Sequence, residues 1–420
     1  MNRRPFLRFG SPSRPGGATP YRVLPLLLVL SPLAAACSDE SPWEGSVEAR
    51  DGVEVVSNPA EPLLSESDGL LQELWSLQDP DWVDPSSIHA GSGLILLTDP
   101  PANRIFPITA GGEARAPIGR PGGGPGEFLG LRDAFLVGDR IAAIDAGKGS
   151  VEYLGMDGSY LVSQHLEGQP WNGFSLDGTT LMIKGEFLSD PREGTSGDWV
   201  TIGEREDLVA FAIEPLDPLP EEEGIQCSDL SSWSDGAARL RFTTPWIQIF
   251  DRDGHLVKES RIELPVEPVS DAEREAALSD LRERLTGRGL PPQFVEQNLA
   301  VMPERWLVKC RFGPLRFDAA TGLAALLEQN PDDFGSGNAT LHFVSEDGVY
   351  LAKVAFSEPW QDFSLDDGVV YALVRDPVTD LVSLEAYQIT FPQSLLTDAA
   401  AVLEAARVRA VGSHDSETEQ

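Results

Sequence analysis

Short apolar runs separated by turn signals make up the body of this chain. Six segments share one character: Leu94–Leu97, Arg140–Ile144, Thr180–Ile183, Ala238–Phe242, Arg305–Val308 and Val369–Leu373. Each reads as a strand, followed by a polar segment and then a second β run. Several second runs end in a hairpin with glycine at the turn: Ile108–Gly112, Tyr153–Gly158, Ile249–Gly254 and Phe343–Gly348. Asp-Gly at three of these turns supplies the positive φ that a tight hairpin demands.

The turn glycines Gly112, Gly158, Gly254 and Gly348 stand 46, 96 and 94 residues apart. A single step near 47 accounts for the first interval. The second is a doubled step, with the intervening hairpin expected near Gly203–Asp207. The third contains a helical insertion. A period in the forties with several strands per unit is the signature of propeller blades, which bury their faces against neighbours around an axis. The expected fold is therefore all-β, a six-bladed β-propeller with a helical hairpin between blades 4 and 5. Val53–Val56 is expected to complete the last blade beside Leu384–Ile389, closing the ring and removing an exposed edge. The competing architecture is a pair of two-sheet sandwiches or a solenoid.

Helical periodicity is almost absent before residue 270. Ser270-Asp271-Ala272-Glu273 reads as a capping box. Leu278, Leu281 and Leu285 then share one stripe, and Gly287 ends the helix. Pro291–Val295 opens a second short helix. Thr397–Arg409 reads as a last helix, with a polar, disordered end at Gly412–Gln420.

The chain has 420 residues, 40 of them glycine and 33 proline, which suits many short strands and tight turns. Its formal charge is −35. Residues 1–36 hold five arginines and no acid, so without that segment 27 Lys and Arg face 67 Asp and Glu, a net of about −40. Such a body repels DNA and anionic headgroups, and no nucleic-acid partner is expected. The acidity serves solubility or collects cations and basic ligands.

Arg22 precedes the apolar run Val23–Leu30, and Ser31–Ala36 leads into Cys37. This is a positive flank, an apolar core and a small-residue cleavage site. The run is too short to span a bilayer, which needs about 20 residues. Cysteine directly after Ala-Ala-Ala resembles a bacterial lipobox, with Ala34 where leucine is commonest. That resemblance implies a lipid anchor at Cys37, export, and a place on the periplasmic or outer-membrane face. Asn2–Arg8 also resembles a twin-arginine export motif. A plain secretory peptide and a retained anchor are the alternatives. The organisation expected is thus a signal peptide over 1–36, a flexible tether over 37–52, the propeller over 53–393 with its insertion at about 269–302, and a helix and tail over 394–420.

One stretch is more specific. Ala102-Asn103-Arg104-Ile105 is followed by Ile118-Gly119-Arg120-Pro121-Gly122-Gly123-Gly124-Pro125-Gly126-Glu127-Phe128. This resembles the loop between the first two blades of the bacterial six-bladed, NHL-repeat-like β-propeller lipoproteins, a mostly uncharacterised family. The resemblance runs from about Val53 to Phe391. A glycine-rich phosphate cradle would need a strand before and a helix behind. Here β pattern resumes after Phe128, so the reading is a tight inter-blade crossover with Phe128 filling the core.

Candidate chemistry is sparse. His89, His165, His255, His342 and His414 are scattered, and no zincin or nucleophile-elbow motif is present. Cys227 and Cys310 lack the Cys-x-x-Cys spacing, so they form either an inter-blade disulfide or two buried thiols. Asp251-Arg252-Asp253-Gly254 has part of a calcium loop but lacks the twelve-residue ligand series and reads as a hairpin turn. Trp171, Trp233, Trp246 and Trp360 read as core fillers near blade boundaries. No cofactor is expected, with calcium the one metal to keep in view. The expected function is a non-catalytic binding or protein-interaction scaffold for a protein, peptide or glycan. The alternative is a metal-dependent hydrolase, lyase or lactonase acting in the central channel, as six-bladed enzymes place acids and Asn there.

Overall fold

Five of the six apolar runs fall in second strands of a series of antiparallel sheets, because these strands are covered on both faces. The computed structural model describes residues 43–64, 69–166, 168–176, 180–187, 197–202, 208–209, 228–234, 236–241, 243–287, 290–301, 311–329, 338–392 and 394–417. An antiparallel hairpin of β1 (Ser46–Arg50) and β2 (Val53–Asn58) comes first, followed by β3 (Leu71–Leu77). Sheet one holds β4 (Ser87–Gly91), β5 (Leu94–Asp99) and β6 (Arg104–Thr109). Sheet two holds β7 (Leu131–Val137), β8 (Arg140–Asp145), β9 (Ser150–Gly155) and β10 (Tyr160–His165). Sheet three holds β11 (Gly168–Ser175), β12 (Leu181–Phe187), β13 (Gly197–Ile202) and β14 (Leu208–Val209). Sheet four holds β15 (Ser228–Trp233), β16 (Gly236–Arg241), β17 (Trp246–Phe250) and β18 (Leu256–Ile262).

Two helices follow, α1 (Asp271–Gly287) and α2 (Pro292–Val301). Ser270 caps α1: its amide donates to Glu273 Oε2 at 2.7 Å, and the Glu273 amide donates to Ser270 Oγ at 3.3 Å. Sheet five holds β19 (Phe312–Asp318), β20 (Leu323–Gln329), β21 (Ala339–Ser345) and β22 (Tyr350–Phe356). Sheet six holds β23 (Trp360–Asp366), β24 (Val369–Arg375) and β25 (Val382–Ile389), and α3 (Leu395–Glu417) ends the described chain.

The first strands of the six sheets neighbour one another in a closed cycle: β4 with β7, then β11, β15, β19 and β23, which returns to β4. Second strands are largely buried wherever their side chains are described. All six residues of β5 are buried, and Leu181, Met182 and Ile183 of β12 are fully inside. Burial of such side chains contributes roughly 1.5–3 kcal/mol each.

The turn glycines occupy one equivalent place. Gly112, Gly158, Gly254 and Gly348 each follow the third strand of their sheet, with φ between +83° and +91° for the first and last and values of +80° and +85° between. Three of these turns press on the outer segment of the preceding sheet. A Cβ at Gly112 would meet Trp75 of β3 at 2.9 Å, one at Gly158 would meet Ile118 at 2.7 Å, and one at Gly348 would meet Ser260 of β18 at 3.0 Å. Glycine serves there for both the backbone angle and the close approach. The hairpin expected near Gly203–Asp207 lies outside the described residues, between the paired strands β13 and β14.

Ring closure uses a different strand from the one expected. β3, not Val53–Val56, completes sheet six, pairing antiparallel with β25 from Leu384↔Leu77 to Ile389↔Leu71. β2 instead adds in parallel to β18, from Lys258↔Glu54 to Ile262↔Asn58, and β1 extends that sheet to six strands. Both candidates are short and half-buried, so the hydrophobic pattern could not rank them. Asn58 locks the choice: its Nδ2 donates to Gly348 O at 2.9 Å and its Oδ1 accepts from Tyr350 N at 2.8 Å. Only one strand position satisfies both in a buried site.

Three further expectations change. β1 lies inside the stretch read as a tether over 37–52, and Trp43 is only 3% exposed. Arg305–Val308 lies outside the described residues, and β20 is the second strand of sheet five. The end read as disordered from Gly412 continues α3 to Glu417. Arg407 fixes α3 to β2 through Glu54, Nε to Oε2 at 2.8 Å and Nη2 to Oε1 at 2.9 Å. This bidentate bond holds the Glu54 carboxyl below its ordinary value, against partial burial and with help from Lys258.

Candidate ligand-binding site

A pocket of about 560 Å³ opens at the centre of the cycle, lined by residues of all six first strands. Several of these strands are bulged at the same level. In β7 the register slips at Arg132, in β23 at Gln361 and in β11 at Trp171. A bulge re-aims the residue that follows it. Asp133, Asp362 and Asn172 are those residues, and Ser87 of β4 shares their register position.

The two aspartates stitch neighbouring sheets together. The Gly173 amide of β11 donates to Asp133 Oδ2 at 3.2 Å. The Ile88 amide of β4 donates to Asp362 Oδ2 at 3.1 Å. Arg316 of β19 donates to Asp362 Oδ1 at 2.9 Å and to the Phe363 carbonyl at 3.0 Å. His89 Nε2 lies 3.1 Å from Asp133 Oδ1, which also accepts from Ser87 Oγ and from the Ala134 amide. A polar belt thus runs from sheet five through six, one and two to sheet three. At the next step Asn172 breaks the series: its Oδ1 is buried and has no hydrogen-bond partner among the described residues.

Burial opposes the Asp133 charge, but His89, the Ser87 hydroxyl and the Gly173 amide outweigh it and hold the carboxyl below its ordinary value. At Asp362 burial wins over Arg316, His89 and the two amides, and the carboxyl is pushed up. The signs of linkage are opposite. Asp133 contributes stability above its unfolded pKa, and this is lost as pH falls through its depressed folded value. Asp362 contributes stability below its unfolded pKa, and this is lost as pH rises through its raised folded value. In urea unfolding from pH 3 to 7, Asp133→Asn is expected to flatten the loss below pH about 4, and Asp362→Asn to flatten the loss on the rising side. Parallel curves for wild type and both variants would contradict this.

The glycine-rich loop holds its own anion. Glu127 accepts from Arg120 Nε at 2.9 Å and Nη2 at 2.7 Å, and from the Gly124 amide at 2.9 Å. Its side chain fills the space beside Gly122 and Gly124, where a Cβ would come within 2.2 and 2.9 Å of Oε2. These contacts hold the Glu127 carboxyl below its ordinary value. Pro125 and Gly126 complete the turn, with Gly126 at φ +71°. Phe128 is 0% exposed, and a Cβ on Gly119 would lie 2.2 Å from its ring.

Cys37, Cys227 and Cys310 lie outside the described residues. His342 is buried between Tyr350 Oη and Glu328 Oε2, both at 2.8 Å. Trp233 and Trp360 are buried; Trp171 is exposed at its bulge, and Trp246 lies between the guanidinium groups of Arg241 and Arg261 at 4.4 and 4.3 Å. Trp171 is therefore no core filler, because the bulge turns it outward.

Among the described residues one cluster has three potential metal ligands, Asp251, Asp253 and His255. It lies on the exposed turn between β17 and β18, away from the pocket, where Asp251 accepts the amides of Asp253 and His255, each at 2.9 Å. In the pocket the described carboxylates do not suit a cation. Both oxygens of Asp133 and of Asp362 are already taken by donors, and a metal would have to displace His89 or Arg316.

The residues that build this belt gave a weak sequence signal. Arg132-Asp133 and Gln361-Asp362 are polar pairs opening otherwise apolar strands, each just ahead of a second-strand run. A buried aspartate in such a place needs donors, and the pairs mark where first strands meet.

No described protein family and no curated protein matches the chain. Solved structures do. An exported protein of Bacteroides fragilis superposes with a TM-score of 0.52 at 13% identity, covering 80% of this chain and 100% of its own. A DUF4221 family member from Bacteroides vulgatus gives 0.52 at 10% identity, covering 77% and 98%. These neighbours are propeller-type proteins. The chain has a β-propeller fold. A gluconolactonase from Xanthomonas campestris fits this propeller more loosely, with a TM-score of 0.41 at 12% identity over 75% of this chain and 87% of that one. The propeller's helices also include none, among the described residues, long and apolar enough to cross a membrane.

Proposed function

We propose that this chain is an exported, lipid-anchored, six-bladed propeller that acts as a binding scaffold and seats its ligand in the central pocket. The pocket carries the reading. Residues from all six first strands line it, polar groups stand beside aromatic ones such as Phe135 and Phe174, and strands rather than loops position nearly all of them. The kinship to NHL-repeat-like lipoproteins rests on the Gly119–Phe128 loop and on the 47-residue step. Export rests on residues 1–36 and anchoring on Cys37. A short peptide, the end of a protein chain or a glycan unit suits a pocket of this size. The donor-saturated state of Asp133 and Asp362 weighs against the metal-dependent hydrolase.

Two experiments test the reading. Cys37→Ser is expected to move the protein from the membrane to the soluble fraction and to abolish labelling by a tagged fatty acid; unchanged labelling contradicts the anchor. Ser232 is a half-buried pocket residue with room beside it, so Ser232→Trp fills the site. In a ligand-observed NMR fragment screen, hits on wild type are expected to compete for one site and to vanish in Ser232→Trp at unchanged melting temperature. Hits that persist in the filled variant would refute the pocket.

A further inference from the structure

We infer that the central pocket recognises a carboxylate with a neighbouring N–H or O–H donor, through Arg132 and Asn172; this rests on the pocket reading above. The lining carries Arg132, Arg311, Arg316 and His89 against Asp133 and Asp362, in a chain of formal charge −35. Among the described residues, every one of these side chains but one has an internal partner. Arg316 and His89 serve the two aspartates. Arg311 serves Glu267, with Nη1 to Oε2 at 3.3 Å, and also contacts Glu328. Arg132 is exposed and makes no hydrogen bond or ion pair among the described residues. Its bulge on β7 places it where the strand stops following the ladder.

Asn172 stands on the adjacent first strand, β11, and lines the same pocket. At its register position Asp133 and Asp362 each accept the amide of the next first strand, whereas Asn172 Oδ1 accepts nothing among the described residues. A buried acceptor without a donor is costly, and a ligand donor would recover that cost. A free guanidinium offers a planar fork that suits carboxylate. Together they require an anion and a donor on one small molecule. A peptide C-terminus and a uronic acid both present that pair.

The test uses purified mature protein and four probes: N-acetylglycine, N-acetylglycine amide, D-glucuronate and D-glucose, titrated calorimetrically. One of the acids is expected to bind about tenfold more tightly than its neutral counterpart, the size of effect of one charge-assisted bond. Which acid binds separates the peptide from the sugar source. Arg132→Gln is expected to erase the preference for the acid, while Asn172→Ala weakens acid and neutral probes alike. Equal binding of acid and neutral probes, or an unchanged preference in Arg132→Gln, overturns the inference, as does no binding of any probe. Neutral probes that bind wild type equally well but not Ser232→Trp would overturn this inference and leave the pocket reading intact. Acid binding that survives in Ser232→Trp would overturn both.

Discussion

Asp133→Ala is expected to destabilise the protein by about 3–5 kcal/mol, because one charged acceptor is removed from several buried donors at once. The variant strands His89, the Ser87 hydroxyl and the Gly173 amide, and it does so where three sheets meet. Asp133→Asn keeps the shape and one acceptor oxygen, so its cost should be smaller, about 1–3 kcal/mol. The Asp133→Asn loss is the discriminating value, since a purely volumetric role would leave this shape-keeping variant close to wild type. Urea unfolding at pH 7, with the slope checked for two-state behaviour, reads both. An Asp133→Ala loss below 1 kcal/mol would mean that the belt does not hold the first strands together.

Phe128→Ala should cost a similar amount, about 3–5 kcal/mol, because the ring is fully buried and leaves a cavity. Phe128 packs with Ile105, Ile118, Leu131 and Leu154, which come from sheets one and two. The loop around it is held by Glu127 and by Lys148 Nζ, which donates to the Glu127 carbonyl at 2.7 Å. Gly119→Ala tests the same contact from the other side. Its backbone sits at φ +84° and the new Cβ would overlap the Phe128 ring. The double variant Gly119→Ala/Phe128→Ala is therefore expected to be more stable than the sum of the single losses predicts, since removing the ring relieves the overlap. Strict additivity, measured by the same unfolding curves, would contradict the packing described.

The sequence was most legible where one demand acts alone. Second strands are covered on both faces, so Leu94–Leu97 and Arg140–Ile144 read as apolar runs and fold as β5 and β8. Asp-Gly turns need positive φ, and Gly158, Gly254 and Gly348 adopt it. First strands answer to two demands, packing outward and polar pairing inward, and so Asp133, Asn172 and Asp362 did not stand out. Strand choice at closure was also hidden. β3 shows Gln72, Glu73 and Leu74 to solvent and only half-buries Leu71, Trp75 and Leu77, which gave it no advantage over Val53–Val56. The decision came from Asn58, a residue whose bonds span 290 and 292 positions in the chain.

Hydrogen exchange read by mass spectrometry, on mature protein with and without a saturating hit from the fragment screen, tests the central claim most directly. A ligand at the axis touches every sheet, so added protection should appear together in Ser87–Gly91, Leu131–Val137, Gly168–Ser175, Ser228–Trp233, Phe312–Asp318 and Trp360–Asp366. Protection confined to α1 and α2, or to the outer strands, with these six segments unchanged, would contradict it.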